Sequence, residues 1–279
     1  MRVTRRAALA GLSVPLGAWR PASPPSVTIR GSPTQGGYVV VATHGALPIT
    51  LDDQPAGTAS RAGIAVIGFD RDAPATSRIT ISDGSGLSTE RTLTIAPRTW
   101  SVQRIDGLPP STVTPTDPAL LTRIRREAEL KTAAFASADG YDNFAHQPWV
   151  RPTTGRFSSS FGNQRILNGE PGRPHYGVDI AAGRGTPVVA PAAGLVVLSE
   201  PDLHFEGGLL LIDHGQGLVG AFLHLSRLDV RVGERVAKAQ RIGAVGSSGR
   251  ATGAHLCWRL KWRGRNLDPS LWLTPPAAV

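Results

Sequence analysis

The sequence predicts a mainly β chain: a small N-terminal β domain, a linker carrying one helix, and a larger antiparallel β domain at the C-terminal end. Three observations predict it. Short β-branched runs recur between glycine- and aspartate-rich turns over both halves. A proline-rich stretch divides those halves, and the helical period of apolar residues is sustained over one segment immediately after it.

The chain has 279 residues, which as a prior suggests two domains. Its 41% hydrophobic and 18% charged residues fit a soluble globular protein with adequate core material. Met1-Arg-Val-Thr-Arg-Arg6 is basic and Ala7 to Ala18 is apolar, so residues 1–22 read as a signal peptide, too short to remain as a membrane span. Thr4-Arg5-Arg6 suits a twin-arginine signal, although Ala8 stands where a bulky residue is usual, and cleavage is expected after Ala18 or Ala22. No later apolar run is long enough for a transmembrane helix.

Residues 25–98 are expected to form the small β domain. Val27-Thr-Ile29, Tyr38 to Val41, Ile64 to Ile67, Arg78 to Ser82 and Arg91 to Ile95 are its strands, with turns at Gly36-Gly37, Asp52-Asp53 and Asp83 to Gly86. The pattern suggests an immunoglobulin-like sandwich serving as a spacer or docking module. His44 is isolated and reads as structural.

The linker and helix occupy residues 99–150. Leu108 to Thr116 is proline-rich and is expected to be stiff and extended. Asp117-Pro118 reads as an N-cap followed by proline at the first helical position. The helix should run to about Ser137, with Leu121, Ile124 and Ala128 on its inner side and Arg125, Arg126 and Glu129 outside. Packing against one domain is expected of it, in preference to gating a groove.

Residues 151–274 carry the chemistry. His175 and Asp179 stand four apart, His224 follows alone, and His255-Leu256-Cys257 lies in a strand-like run with Trp258, Leu260 and Trp262. Residues two apart share a strand face, so the His255 imidazole and the Cys257 thiol should face one groove. Four residues of straight strand span about 13 Å, too far for two ligands of one ion, so the chain must bend between His175 and Asp179, with Gly177 permitting it. One imidazole, one carboxylate and one thiolate make three zinc donors and leave the fourth position for water. His224 and His255 then remain to move protons or hold charge on a carbonyl oxygen. Gly208 to His214, the turn Gly215-Gln-Gly217, and Leu218 to His224 read as a hairpin that leaves His224 at a strand end. His214, His204 and His146 enter no site.

Several blocks, in order, carry a resemblance: Arg156 to Gly162, His175 to Asp179, Gly185 to Pro191, Ala221 to Leu225, Val232 to Val236, Gly246 to Gly249 and Thr252 to Leu256. They resemble the LytM/lysostaphin-type zinc endopeptidases that cut peptidoglycan peptides, over roughly Arg151 to Leu273. The resemblance implies a LytM-type antiparallel β catalytic domain, with His175 and Asp179 as zinc ligands and His224 and His255 as catalytic residues. The family's third ligand is the second histidine of an HxH motif, and Cys257 stands in that place here. Thiolate is a good zinc ligand. Its extra charge donation should make the bound water less acidic, slowing the chemistry without abolishing it.

The chain's sole cysteine excludes an intrachain disulfide. A net charge of +9, almost all arginine, suits work beside anionic envelope polymers. No basic helix, zinc finger or stacked-aromatic pattern supports nucleic-acid binding. The expected function is therefore an exported, periplasmic or envelope zinc endopeptidase acting on peptidoglycan cross-links. The alternative is a weak or inactive scaffold that binds peptidoglycan or activates other cell-wall hydrolases.

Overall fold

The computed structural model describes residues 23–145 and 148–274. The expected signal segment 1–22, with both cleavage positions, and His146 lie outside the described residues.

The protein is mainly β, as the strand periodicity predicts. Its N-terminal part has seven strands, β1 (Thr28–Gly31), β2 (Tyr38–Ala42), β3 (Pro48–Leu51), β4 (Gln54–Thr58), β5 (Ile64–Gly68), β6 (Thr76–Ser82) and β7 (Ser88–Thr94). They form two antiparallel sheets in the orders β1-β2-β5 and β4-β3-β6-β7. Val39, Val41 and Ile67 of one sheet share a core with Ile49, Ile79 and Ile81 of the other. On β6 the alternation is clean, with Ile79 and Ile81 fully buried between half-exposed Arg78 and Thr80. The β3–β4 hairpin is absent from the sequence expectations, which had only its turn. Asp52 and Asp53 both adopt left-handed backbone, φ 51° and 63°, as a two-residue hairpin turn requires. Pro48, Gln54 and Pro55 break the apolar alternation that would have revealed the strands.

The connecting segment differs from expectation. β8 (Val102–Ile105) is a strand, and inside the proline-rich stretch α1 (Pro110–Val113) makes one helical turn where extended chain was expected. Pro110 opens that turn because a first-turn residue has no N–H obligation. α2 (Pro118–Phe135) starts as predicted, with the Asp117 carboxylate accepting from Leu120 N at 2.8 Å, and ends two residues short of the expected Ser137. Its inner face is not the predicted one. Leu121 and Ile124 are half-buried and Ala128 is exposed, whereas Glu127 and Ala134 are buried. Glu127 is held by Arg123 at 2.6 Å and by the His204 backbone N–H at 2.9 Å.

The C-terminal part adds β9 (Arg156–Ser159), β10 (Gln164–Leu167), β11 (Glu170–Pro171), β12 (Gly177–Ala181), β13 (Pro187–Val189), β14 (Gly194–Leu203), β15 (Gly207–Asp213), β16 (Leu218–Leu228), β17 (Arg235–Val236), β18 (Arg241–Val245), β19 (His255–Trp262) and β20 (Arg265–Leu267), closed by a 3-10 turn at Pro269–Leu273. The main sheet runs β17-β14-β15-β16-β19-β12-β9, with β18 and β20 paired on β16 and β19. A separate small sheet pairs β8 in parallel with β10, placing Gln103 opposite Arg165.

Period two on β19 divides the main sheet's environment. Trp258, Leu260 and Trp262 point into the large core, whereas Cys257 lies on the other face with Leu209, Leu211, Ala221 and Leu223, under Ala134 of α2. The N- and C-terminal parts are joined through one continuous core. Tyr38 stacks on Trp272 at 3.7 Å, Arg98 pairs with Asp268 at 2.9 Å, and Gln216 Nε2 donates to Ile64 O at 2.7 Å. No helix among the described residues is long and apolar enough to cross a membrane.

Candidate metal centre and its groove

Strand pairing brings the three predicted donors together. Asp179 on β12 is the direct cross-strand partner of Cys257 on β19, and His175 sits just before β12 begins. One donor atom from each of His175, Asp179 and Cys257 falls within 4.8 Å of the others. His175 Nε2 is 3.1 Å from Asp179 Oδ1 and 3.4 Å from Cys257 Sγ. All three residues are buried.

His175 and Asp179 converge as expected, but Gly177 contributes in a different way. Its backbone is not left-handed. A Cβ there would stand 2.6 Å from Trp258 O and from the Arg259 side chain, so glycine is needed for close approach of β12 to β19.

Hydrogen bonds fix how His175 presents itself. Ser159 Oγ donates to Gln103 Oε1 at 3.2 Å, and having one proton to give, it must accept from His175 Nδ1 at 3.1 Å. Nε2 therefore faces Asp179 and Cys257 as a lone pair, which accepts from the Cys257 thiol at 3.4 Å. Asp179 Oδ1 is correspondingly buried without a hydrogen-bond donor, while Oδ2 accepts from Arg165 Nη2 at 3.1 Å. An imidazole lone pair, an undonated carboxylate oxygen and a thiol sulfur converging in a buried pocket are the donor types that zinc takes, and the residues present fit such an ion.

Charge is arranged to match. Burial works to raise Asp179, but the positive surroundings, of which the Arg165 guanidinium on Oδ2 is the permanent charge, outweigh burial and hold the carboxyl well below its usual range. Burial lowers His175 and keeps it neutral. Burial pushes the Cys257 thiol up to about 12, with Arg259, whose Nε donates to Sγ at 3.4 Å, working against it. A cation bound at the site would favour the thiolate further.

The two remaining histidines flank this centre. His255 Nε2 lies 3.8 Å from Asp179 Oδ1, and the His224 and His255 rings are 4.7 Å apart. His224 Nδ1 donates to Ser248 O and His255 Nδ1 to Gly253 O, both at 2.8 Å, so in the neutral form of each ring Nε2 is the lone-pair nitrogen. Burial, chiefly, pushes His224 down to about 3, and a positive charge on the neighbouring His255 would act in the same direction. His224 is not at a strand end as expected. It lies inside β16, within the register shift that separates Phe222 from Leu225, in left-handed backbone at φ 64°. Such a conformation costs a non-glycine residue on the order of 1–3 kcal/mol, and irregular pairing of this kind re-aims a side chain.

Gln103, Ser159, Arg165 and Arg259 also serve the site, yet none was singled out from the sequence. Ser159 falls within a motif that carried the resemblance, and Arg259 follows from Cys257 by period two. Gln103 and Arg165 left no local signal. His204 accepts nothing at the centre, and His214 is buried elsewhere, its Nδ1 on Ala193 O at 2.9 Å. α2 does more than pack on the sheet: Ile124, Ala128, Lys131 and Phe135 wall a cavity that reaches His224.

An antiparallel β groove with His, Asp and Cys donors at one edge and two free imidazoles beside them places the protein among β proteins built around a three-donor centre. Residues 173–269 match Peptidase family M23, so this part of the chain is a peptidase M23 domain of the LytM/lysostaphin type. A peptidase M23 structure from Pseudomonas aeruginosa is 29% identical with a TM-score of 0.68, covering 88% of this chain and 96% of that one, so the likeness extends well beyond the matched domain. The peptidoglycan DD-endopeptidase ShyA of Vibrio cholerae is 40% identical over 95 residues, 34% of this chain and 22% of that protein. The murein hydrolase activator NlpD of Salmonella typhimurium is 30% identical over 125 residues, 45% of this chain and 31% of that protein. The chain thus spans less than a third of either curated relative.

Proposed function

We propose that the protein is an exported zinc-dependent endopeptidase that cleaves peptide cross-links of peptidoglycan in the periplasm or cell envelope. The observation that carries this reading is the convergence of His175 Nε2, Asp179 Oδ1 and Cys257 Sγ, with the carboxylate oxygen buried and undonated. The likeness to a DD-endopeptidase supports the substrate.

In this reading His175, Asp179 and Cys257 hold the ion. Zinc, when bound, supplies Lewis acidity and a nucleophilic water at neutral pH. Arg165 and Arg259 clamp two of the donors from outside, and the Gln103–Ser159 pair holds the His175 tautomer. His224 and His255 present unprotonated Nε2 atoms to the groove. Either can take a proton from the nucleophile, and once protonated can donate to the oxyanion or to the leaving amine.

Zinc stoichiometry and digestion of purified peptidoglycan, measured for wild type and Cys257→Ala, test the proposal. Wild type should bind one zinc per chain and release peptides, and the variant should lose both. The likeness to a hydrolase activator supports a second reading, a scaffold that stimulates other wall hydrolases. A wild type that is metal-free and inert, yet stimulates a separate hydrolase, would establish that reading. Activity appearing only in Cys257→His would do the same.

A further inference from the structure

We propose that the cavity beneath α2 is a carboxylate-binding subsite, seating an acidic segment of the peptide substrate next to the metal centre. The proposal rests on the endopeptidase reading and adds to it what the substrate must carry.

The subsite is laid out by β19. His255, Cys257, Arg259 and Lys261 share one face of that strand, at about 7 Å intervals, so two cations continue the row that begins with the catalytic histidine and the thiol. They form one wall of a cavity of about 940 Å³ that opens on His224 and is walled opposite by α2. Six cationic side chains line it against two carboxylates, Glu170 and Glu206. Two of the six are committed: Arg165 to Asp179, and Lys131 to Glu206 at 2.6 Å. The other four, Arg173, Arg250, Arg259 and Lys261, have no carboxylate within ion-pair distance among the described residues. Arg250 donates to Thr112 O at 3.0 Å and lies over Phe205, and Lys261 lies over Phe135.

Arg259 is the informative member. Its Nε is used on Cys257 Sγ, and no partner is seen for its terminal nitrogens among the described residues. Arg250, Arg259 and Lys261 are half-buried whereas Arg173 is exposed, and half-buried cations without counter-ions are costly to keep out of water. Even with Cys257 as thiolate, one negative charge meets one of the four. An incoming carboxylate offsets that cost and matches the guanidinium fork. The nearness of the row to His224 and His255 means that a peptide seated there has its backbone beside the reacting groups.

The test uses two synthetic cross-linked stem peptides of identical sequence, one with free carboxylates and one with them amidated. Cleavage and calorimetric binding are measured on the full zinc-loaded protein. Wild type should prefer the free acid on the order of tenfold in kcat/KM, as one charge-assisted contact gives, and raised salt should shrink that preference. Arg173→Gln/Lys261→Gln should bring the ratio close to one, and Lys261→Glu should invert it. Both sites are at least partly exposed, so the variants fold, and an unchanged melting temperature checks this. Cleavage of both peptides with equal efficiency by wild type would overturn the subsite and leave the endopeptidase reading standing. Acid-selective binding that is lost in the variants, without cleavage of either peptide, would support the subsite and overturn the endopeptidase reading.

Discussion

Replacing Ser159 with alanine deletes one hydroxyl and frees the proton of His175 to move. In the native arrangement Ser159 Oγ takes the Nδ1 proton because its own proton is given to Gln103. Without it, a buried Nδ1–H loses its acceptor, which costs about 1–3 kcal/mol. The ring escapes part of that cost by carrying the proton on Nε2, 3.1 Å from the undonated Asp179 Oδ1. That new hydrogen bond would consume two of the three donor atoms at once. Zinc affinity should therefore fall about 10- to 100-fold, the range expected when the outer partner of a ligating histidine is removed. Competition against a chromophoric chelator measures it directly, with no dependence on catalysis. Ser158→Ala is the control, since among the described residues the Ser158 hydroxyl bonds only the Asp179 carbonyl, at 3.3 Å. A Ser159→Ala protein whose zinc affinity stays with that control would refute the tautomer argument.

Three further outcomes are expected from the wider structure. Burial holds His214 at about 4, below its ordinary value of 6.5, so it stabilises the fold fully above pH 6.5 and that contribution is lost as pH falls towards 4. Urea titrations over this window should show up to about 3 kcal/mol of loss, and His214→Gln should flatten the slope. Asp117→Ala removes the cap on Leu120 N and should cost about 1 kcal/mol, read as a lower urea midpoint with unchanged m-value. Trp272 stacks on Tyr38 and packs against Trp149 at 4.7 Å. Trp272→Ala should cost about 3–5 kcal/mol, and because it sits where the two parts meet, melting of the variant should separate into two transitions; a single transition at the native midpoint would contradict the shared core.

Local signals revealed a good deal of this arrangement. The Asp117-Pro118 start of α2, the alternation of β6, and the β15–β16 hairpin around Gly215-Gln-Gly217 could all be read from adjacent residues, because capping, pleating and turn chemistry act over a few positions. The β3–β4 hairpin and the helical turn at Pro110 were not legible, since prolines there mask the patterns. The buried face of α2 was also misread: Glu127 is inside because Arg123 and the His204 backbone satisfy it, and hydropathy alone cannot register such partners.

By itself the sequence determined the chemistry on offer: which side chains could hold an ion, that Cys257 stands where a histidine would, and that His255 and Cys257 share a face. Those are consequences of residue type and a period of two. Only the tertiary structure decided that Asp179 lies opposite Cys257, that Gln103 reaches from β8 to set the His175 proton, and that α2 roofs the cationic row. The physical reason is distance along the chain. Hydrogen-bond partners and cavity walls separated by tens of residues are fixed by strand register and core packing, which no local pattern encodes.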